Sequence, residues 1–303
     1  MATLVEVTVV MAQPGDLVAE TAGALIHYES LLSRFQPDSD VSALNRAAGG
    51  VVEVDAATAA VLDACLELAP LCDGAFTPCI GALGGLWDVK AWLAEVAAGR
   101  RPQTPGRDVI EEARARCAPE LLERVDERAY RLHEGAQLDL GAIAKGFVAD
   151  AVRGLCLDRG AGAALVSVGS SSVAAAGPRP GARPWRVGIR GPHGDGVLGS
   201  VELRDAADLA TSGDYLQQLP RLIDGQVVHH VIDPATGRPA ASGVRQASAV
   251  CADGMRAEAA ATALMMRPPE RLEELLEGVE HLVVTDEAVR PSPGLAWLPV
   301  DEQ

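Results

Sequence analysis

The sequence predicts an α+β fold in which a mainly antiparallel sheet packs against helices. Residues 15–34 and 54–72 carry apolar side chains three or four positions apart, which is typical of amphipathic helices. The second half of the chain consists largely of short strand-like runs bounded by Gly, Pro and Asp. Strands and helices do not alternate strictly, which argues against a parallel βα sheet.

The remaining elements follow from the same patterns. We predict strands at residues 3–11, 128–133, 163–168, 172–176, 185–190, 197–203, 207–211, 226–232, 245–251 and 281–285. We predict further helices from about Ala142, at 255–266 and at 269–277. Residues 89–126 look helical apart from a Pro- and Gly-rich break, and we interpret them as a helical insertion. We expect one domain over 1–303, with any division falling between two intimate halves at 1–160 and 161–303.

The composition provides for a large hydrophobic core, and the net charge argues against nucleic-acid binding. Of the 303 residues, 48% are hydrophobic, which is ample for a large core. The net charge is −16, with 42 acidic and 26 basic residues. A general nucleic-acid binder needs the opposite sign to neutralise phosphates. An anionic small substrate would therefore need a metal ion or a local cationic pocket.

Targeting and cysteine signals point to the cytoplasm. No apolar run approaches the ~20 residues that span a bilayer, so we expect no membrane insertion. The first residues read as a strand interrupted by Glu6, and we expect no secretory leader. The six cysteines form no C-x-x-C pair, and we expect buried free thiols in a reducing compartment.

A compact motif spans residues 138–150. Asp139 ends a short strand, Gly141 permits a tight turn, and Lys145 falls in the first turn of the next helix. A cation at a helix N-terminus opposes the helix dipole, whereas a bound phosphate would reverse that penalty. A solvated lysine beside two structural glycines is the alternative.

Residues 228–239 hold two adjacent histidines followed by a turn. Neighbouring side chains on a strand point to opposite faces, so only one histidine can face a given site. Asp233 and Gly237 are typical turn residues. Taken alone, a strand histidine is more often a core or surface residue than a general base.

The Ala-rich segment 252–263 offers oxygen ligands. Glu258 and Thr262 are four residues apart and therefore share a helix face. A carboxylate and a hydroxyl suit Mg²⁺. The alternatives are an ordinary packed helix with an exposed glutamate, or Asp253 as the acidic ligand.

Two weaker signals are turns rich in Gly and Ser. Residues 210–215 look like a strand that ends in a turn able to contact a cofactor. In residues 165–173, a Gly and three serines interrupt a strand, which indicates a bulge or a close approach to a ligand.

In this order along the chain, these segments resemble the FAD:protein FMN transferase family, also called ApbE. Residues 34–45 resemble its early Ser…Leu-Asn segment, and residues 73–78 with Leu86-Trp87 resemble its G-x-F-D-P-T…L-W segment. The most specific matches are residues 138–150 and 230–237. The resemblance implies Mg²⁺-dependent transfer of FMN from FAD to a threonine of an acceptor protein, with release of AMP. Mn²⁺ is an alternative metal.

The resemblance also implies roles for particular residues. Glu258, Thr262 and the carbonyl of Ala142 would bind the metal, and His230 would be the catalytic base. Lys145 would lie near the diphosphate and is a second catalytic candidate. The positions assigned to FAD binding are Ser39, Asp139, Lys145, Gly169, Ser170, Ser171, Ser212, Gly213, Asp214, His230 and Asp233.

Two departures from the family pattern bear on these roles. The Gly169-Ser-Ser171 run stands where the family has Gly-Gly and an acidic or amide residue that helps hold the adenosine of FAD. Glu258 stands where Asp is commoner, and it keeps the donor type. Two alternative functions remain open from the sequence: an Mg²⁺-dependent FAD pyrophosphatase that gives FMN and AMP, and a flavin-binding protein without turnover.

Overall fold

The computed structural model describes residues 3–100, 102–192, 196–215, 219 and 228–300. Its strands are β1 (Val5–Val10), β2 (Val51–Glu53), β3 (Leu122–Asp126), β4 (Ala129–Leu132), β5 (Ala163–Val168), β6 (Ser172–Ala176), β7 (Trp185–Arg190), β8 (Val197–Leu203), β9 (Ala207–Gly213), β10 (Ile232–Asp233), β11 (Arg238–Pro239), β12 (Val244–Cys251), β13 (Glu280–Thr285), β14 (Val289–Pro291) and β15 (Trp297–Pro299). Its α-helices are α1 (Leu17–Leu32), α2 (Asp40–Arg46), α3 (Ala56–Leu68), α4 (Gly81–Leu86), α5 (Val89–Ala97), α6 (Arg107–Ala115), α7 (Ala144–Asp158) and α8 (Gly254–Leu264).

A seven-stranded antiparallel sheet forms the centre of the fold, which confirms the predicted α+β class. Its strand order is β1-β5-β6-β9-β12-β13-β14, and every neighbouring pair is antiparallel. Smaller sheets have the orders β15-β8-β7, β2-β4-β3 and β10-β11.

The central sheet is buried on both faces. Ala174 and Ala210 belong to the core formed with α1, α7 and α8. Their neighbours Val173 and Leu209 belong to a second core shared with β7 and β8. This division follows the two-residue period of a strand, whose successive side chains point to opposite faces. The result is a sheet covered by helices on one side and by a small sheet on the other.

Small residues let α7 and α8 approach each other and the sheet closely. A Cβ atom added at Gly146 of α7 would overlap the carbonyl oxygen of Gly254, the first residue of α8. On α8, Ala257, Ala259 and Ala261 are fully buried. The Ala-rich composition of this helix therefore reflects close packing, which also carries Glu258 into the interior.

A third core joins α4 and α6 to the residues around the two histidines. Leu83, Trp87 and Ile110 pack with Val228 and Ile232, and all five side chains are buried. The first part of the predicted insertion therefore supports another region of the molecule.

The predicted helical insertion at 89–126 is correct only in part. Helices α5 and α6 lie within it, but its last five residues form β3. That strand pairs with β4 in an antiparallel ladder. β4 also pairs with β2, which lies far earlier in the chain, and pairing within this sheet overrides the local helical pattern.

The predicted helix at 269–277 is wrong. Pro269–Arg271 form a single turn of 3-10 helix, and turns follow. The guanidinium of Arg256 donates to the carbonyl oxygens of Glu274, at 2.8 Å, and Leu275, at 3.0 Å. A distant side chain thus satisfies carbonyl groups that a helix would have used internally.

The predicted strand at 226–232 is also wrong at residues 228–231 and correct at Ile232, which lies in β10. Residues 226–227 lie outside the described residues, and 228–231 do not belong to a strand. Ile232 pairs with Pro239 in the two-residue ladder of β10 and β11. The intervening Asp-Pro-Ala-Thr-Gly turn closes this small hairpin.

Near the middle of the chain, α7 begins at Ala144, two residues later than predicted.

All six cysteines are free thiols, as expected. Five are buried and Cys251 is partly exposed. Burial raises the pKa of Cys72 and of Cys79 to about 12, so these thiols remain protonated and unreactive. None of the helices that the structure describes is long and apolar enough to cross a membrane.

The contact between α7 and α8 predicts opposite effects for two glycines of α7. Gly146→Ala should lower the free energy of unfolding by about 1–3 kcal/mol, because the added methyl group forces the helices apart. Gly154→Ala, where an added Cβ meets nothing within 4 Å, should raise it by about 1 kcal/mol through helix propensity. Urea unfolding of both variants checks this, and equal effects would contradict the packing argument.

Candidate functional site

The centre of the candidate site is the carboxylate of Glu258, which is 2% exposed. Its Oε1 accepts a hydrogen bond from Lys145 Nζ at 2.9 Å and another from the hydroxyl of Ser172. A buried carboxylate is tolerated only when it is paired and hydrogen-bonded. Glu258 is therefore not the exposed glutamate of an ordinary helix.

Lys145 reaches Glu258 because α7 and α8 touch next to it. Gly146 follows Lys145 directly, and a Cβ there would lie 3.0 Å from Glu258 Cγ. The lysine side chain is 22% exposed, so its ammonium group faces both the carboxylate and the solvent. This excludes the alternative of a freely solvated lysine.

Thr262 lies one helical turn beyond Glu258 and contacts the end of β9. Its Oγ1 is 3.3 Å from the hydroxyl oxygen of Ser212. Ser212 shares a strand face with Ala210, which packs in the same core as α8. The structure thus brings together four of the predicted site residues, Lys145, Glu258, Thr262 and Ser212.

The donor atoms at this position fit a hard divalent cation. Both contacts of the Glu258 carboxylate converge on Oε1, and no residue that the structure describes bonds Oε2. The same residues contain no group of three or more His, Cys, Asp or Glu side chains that could hold a metal. Mg²⁺ often uses one carboxylate, neutral oxygens and the phosphate of its substrate, so a single glutamate with a threonine hydroxyl suits it.

The turn before α7 is braced by Asp139. Its Oδ1 accepts from the N–H of Gly141 at 2.9 Å, and its Oδ2 lies 2.8 Å from Arg34 Nε. Ala142, whose carbonyl is a predicted metal ligand, follows Gly141 directly. Asp139 therefore shapes this turn in the structure.

Asp253, the alternative acidic ligand, is occupied at the start of α8. Its Oδ1 accepts from the N–H groups of Met255, at 2.8 Å, and Arg256, at 3.2 Å. These are the bonds of a helix N-cap. Glu258 is the better candidate, since it lies one turn from Thr262.

A cavity of about 540 Å³ borders Lys145 and is called the Lys145 cavity here. Three cationic side chains line it, those of Arg34, Lys90 and Lys145, together with Asp139 and Glu29. Phe35 stands at its edge, with the Arg34 guanidinium 4.2 Å from the ring centre. Three cations less two carboxylates leave this cavity a net charge of +1 in a chain of net charge −16, so it suits an anionic substrate better than the protein surface as a whole.

A second cavity, of about 710 Å³, lies at the C-terminal end of α8 and is called the Asp214 cavity. Asp214, His229, Asp233, Arg245 and Met266 contribute to its lining. Asp214 Oδ2 lies 2.7 Å from Arg245 Nε, whereas its buried Oδ1 bonds none of the residues that the structure describes. A ligand N–H would satisfy this acceptor, which otherwise carries a desolvation penalty.

Residues 228–240 form the histidine segment, and its two histidines differ. His229 is 3% exposed; its Nε2 lies 3.0 Å from the carbonyl oxygen of Ala240, and its Nδ1 accepts from the N–H of Val231. A carbonyl oxygen can only accept, so Nε2 carries the proton and the ring is neutral. Burial lowers the pKa of His229. His230 is exposed but lines neither cavity, whereas His229 is buried and borders the Asp214 cavity.

Several predicted flavin positions make structural contacts. Ser39 is fully buried, accepts from the N–H of Ser42 at 3.0 Å and donates to the carbonyl of Ser33 at 2.7 Å. Asp233 pairs with both terminal nitrogens of Arg267. Direct flavin contacts by these two residues stay predictions.

The turn at residues 169–171 joins β5 to β6. Gly169 and Ser170 have φ angles of 64° and 58°, in the left-handed region. Ser171 accepts from the N–H of Thr211 through its carbonyl oxygen at 2.7 Å. The next residue, Ser172, is the one that bonds Glu258; it belongs to the Gly- and Ser-rich run at 165–173, but no site role was predicted for it. Because side chains alternate along β6, Ser172 lies on the same face as Ala174, which packs against the helices. This alternation could have predicted that Ser172 faces α8.

Comparisons with known proteins agree on one family. A model described as the ApbE family matches residues 1–284. The FAD:protein FMN transferase of Treponema pallidum is 36% identical over an alignment of 294 residues, which covers 88% of this chain and 76% of that protein. The structure of the ApbE protein from Thermotoga maritima has a TM-score of 0.82 and 29% identity, covering 96% of this chain and 94% of its own. The flavin transferase ApbE from Vibrio cholerae has a TM-score of 0.79 and 25% identity, with the same coverage of both chains.

The environment of His229 predicts a component of acid instability. Because burial lowers its folded-state pKa below the ordinary 6.5, the unfolded chain binds the proton first as the pH falls. The stability that neutral His229 contributes is thus fully present above the unfolded-state pKa of 6.5, and it is lost as the pH falls from there through the lower folded-state pKa. His229→Gln keeps a donor for Ala240 and does not titrate. We expect its stability deficit, measured by urea unfolding, to shrink from about pH 8 to about pH 5.5. Parallel curves would contradict this.

Proposed function

The chain belongs to the ApbE family, and from this premise we propose that it transfers FMN from FAD to a threonine hydroxyl of another protein and releases AMP, in an Mg²⁺-dependent reaction. The observation that carries this proposal is the buried Glu258 carboxylate, which meets Lys145 one helical turn from Thr262. These residues adjoin a cationic cavity, so they can receive a diphosphate.

Glu258, the hydroxyl of Thr262 and the carbonyl of Ala142 would hold Mg²⁺, with Mn²⁺ as the alternative. The unused Oε2 of Glu258 supports this assignment. When bound, the ion neutralises diphosphate charge and favours in-line attack at phosphorus.

Lys145 binds the diphosphate next to Glu258. Its ammonium is partly exposed, and it occupies the first turn of α7, at the positive end of the helix dipole. Arg34 and Lys90 add positive charge along the Lys145 cavity. Together they attract FAD to a protein whose overall charge would repel it.

His230 acts as the general base. An exposed imidazole can accept the proton of an incoming threonine hydroxyl, which is the usual role of histidine in such steps. The threonine oxygen bonds to the phosphorus on the riboflavin side of FAD, and the bridging P–O bond breaks. AMP leaves with the bridging oxygen, and FMN remains on the acceptor as a phosphoester.

The flavin and adenosine are held by the predicted positions around the two cavities. Ser212, Gly213 and Asp214 contact the flavin, and the unpartnered Oδ1 of Asp214 accepts one of its N–H groups. Gly169, Ser170 and Ser171 contact the adenosine side. Asp139, Ser39 and Asp233 support binding through the backbone segments that they hold. The six free thiols favour a reducing compartment, hence a cytoplasmic acceptor.

Product analysis tests the proposed reaction. Incubation with FAD, Mg²⁺ and a threonine-bearing peptide should give FMN-modified peptide and AMP in equal amounts by mass spectrometry. Free FMN with AMP and no modified peptide would identify a pyrophosphatase in which water replaces threonine. Tight flavin binding without consumption of FAD would identify a binding protein.

Removing the charge of Glu258 should raise the Mg²⁺ requirement. We expect Glu258→Gln to increase the Mg²⁺ concentration for half-maximal turnover by about tenfold or more, since one hard ligand is lost. Asp253→Asn is the matched control, because that carboxylate lies on the same helix but caps its N-terminus. Titrations of turnover against Mg²⁺ compare the two variants. A larger shift for Asp253→Asn would transfer the ligand role to Asp253.

A further inference from the structure

Arg267 makes an unusually complete set of contacts three residues beyond the end of α8. Its Nη1 and Nη2 lie 2.9 and 3.0 Å from the two carboxylate oxygens of Asp233. Its Nε donates to the carbonyl of Asp73 at 3.1 Å, and Nη1 also donates to the carbonyl of Met266 at 3.1 Å. Four of its five N–H donors are therefore used within the protein. With its side chain 10% exposed, Arg267 has little capacity left for a substrate.

This guanidinium joins three segments that are distant in sequence. Asp73 lies in a left-handed conformation just after the 3-10 turn that follows α3. Asp233 begins the turn of the histidine segment, whose Gly237 N–H donates back to the Asp233 carbonyl at 2.8 Å. Arg267 itself extends from the helix that carries Glu258 and Thr262. The metal-binding helix and the histidine segment are thus connected through one side chain.

The opposite end of the same turn is fixed by the end of α4 and by α6 of the helical insertion. Trp87 Nε1 donates to the carbonyl of Gly237 at 2.7 Å. Gly237 has a φ of +67°, and a Cβ there would lie 2.7 Å from the Ile110 side chain. Val228 and Ile232, on either side of the histidines, are buried in the core of α4 and α6. His230 is therefore an exposed residue on a backbone that is held at several points.

We propose that Arg267 is a positioning residue for His230. The two parallel bonds to Asp233 fix the start of the turn relative to the end of α8, and hence the backbone that carries His230 three residues earlier. A lysine could keep the charge but not the two-point geometry. This inference rests on the proposed role of His230 as the base. A displacement of about 1 Å in a catalytic group can reduce a rate about 100-fold, so such a contact matters for turnover.

Steady-state kinetics of Arg267→Lys test the proposal. We expect kcat to fall about 100-fold, with the KM for FAD and the Mg²⁺ requirement changing less than about threefold. Arg271→Gln is the control, because Arg271 pairs with Asp73 at the surface and does not contact Asp233. It should retain wild-type kcat. Equal losses in both variants would contradict a specific role for Arg267.

A double-mutant cycle separates positioning from a general structural effect. If Arg267 acts through His230, Arg267→Lys should leave kcat almost unchanged in a His230→Ala background. If Arg267→Lys lowers kcat by the same factor with and without His230, the proposal is wrong. Thermal melting establishes that each variant is folded; if Arg267→Lys is not, Asp233→Asn interrogates the same ion pair in the same cycle.

The wild-type enzyme distinguishes this inference from the proposed function. If the wild type forms no FMN-modified peptide and no AMP, the proposed function fails. If it turns over FAD but the cycle is multiplicative, the function stands and the positioning role of Arg267 fails.

Discussion

The burial of the Glu258 carboxylate against Lys145 is the constraint on which the site depends. An ionised group with 2% exposure is stable only because an ammonium and a hydroxyl meet one of its oxygens. Breaking such a pair by removing one partner typically costs about 3–5 kcal/mol. The pair requires that α7 and α8 touch, which is possible only because Gly146 and Gly254 lack side chains at the contact. The same two glycines therefore let the helices pack closely and place Lys145 beside Glu258.

The site combines elements from both halves of the chain. Lys145 comes from α7, Ser172 from β6, Ser212 from β9, and Glu258 and Thr262 from α8. The central sheet fixes their relative positions, because β6 and β9 are hydrogen-bonded neighbours in register. The histidine segment is added at the end of α8 through Arg267, and the helical insertion supports it from the other side. The central sheet and its helices thus carry the residues proposed to bind the diphosphate and metal, while the proposed base, His230, lies on a shorter, separately anchored segment.

Local periodicity predicted most of the framework. Helices α1, α3 and α8 and the long strands of the central sheet carry clear apolar patterns, so the α+β class and the shared face of Glu258 and Thr262 followed from the sequence. Contacts between distant residues could not be predicted in this way. The bonds of Arg256 to residues 274 and 275 replaced a helix by turns. Residues 122–126 form a strand because they pair with β4, which is itself held by the distant strand β2. Ser172 and Arg267 were missed for the same reason, since each acts across the fold on a residue that is far away in the chain.

The most direct measurement of the central claim is anomalous diffraction from crystals soaked with Mn²⁺ and FAD. The account predicts an Mn²⁺ peak about 2.2 Å from a Glu258 carboxylate oxygen and the Thr262 hydroxyl, in contact with the FAD diphosphate. A diphosphate bound elsewhere, or Mn²⁺ at another group of residues with Glu258 still held only by Lys145 and Ser172, would contradict it.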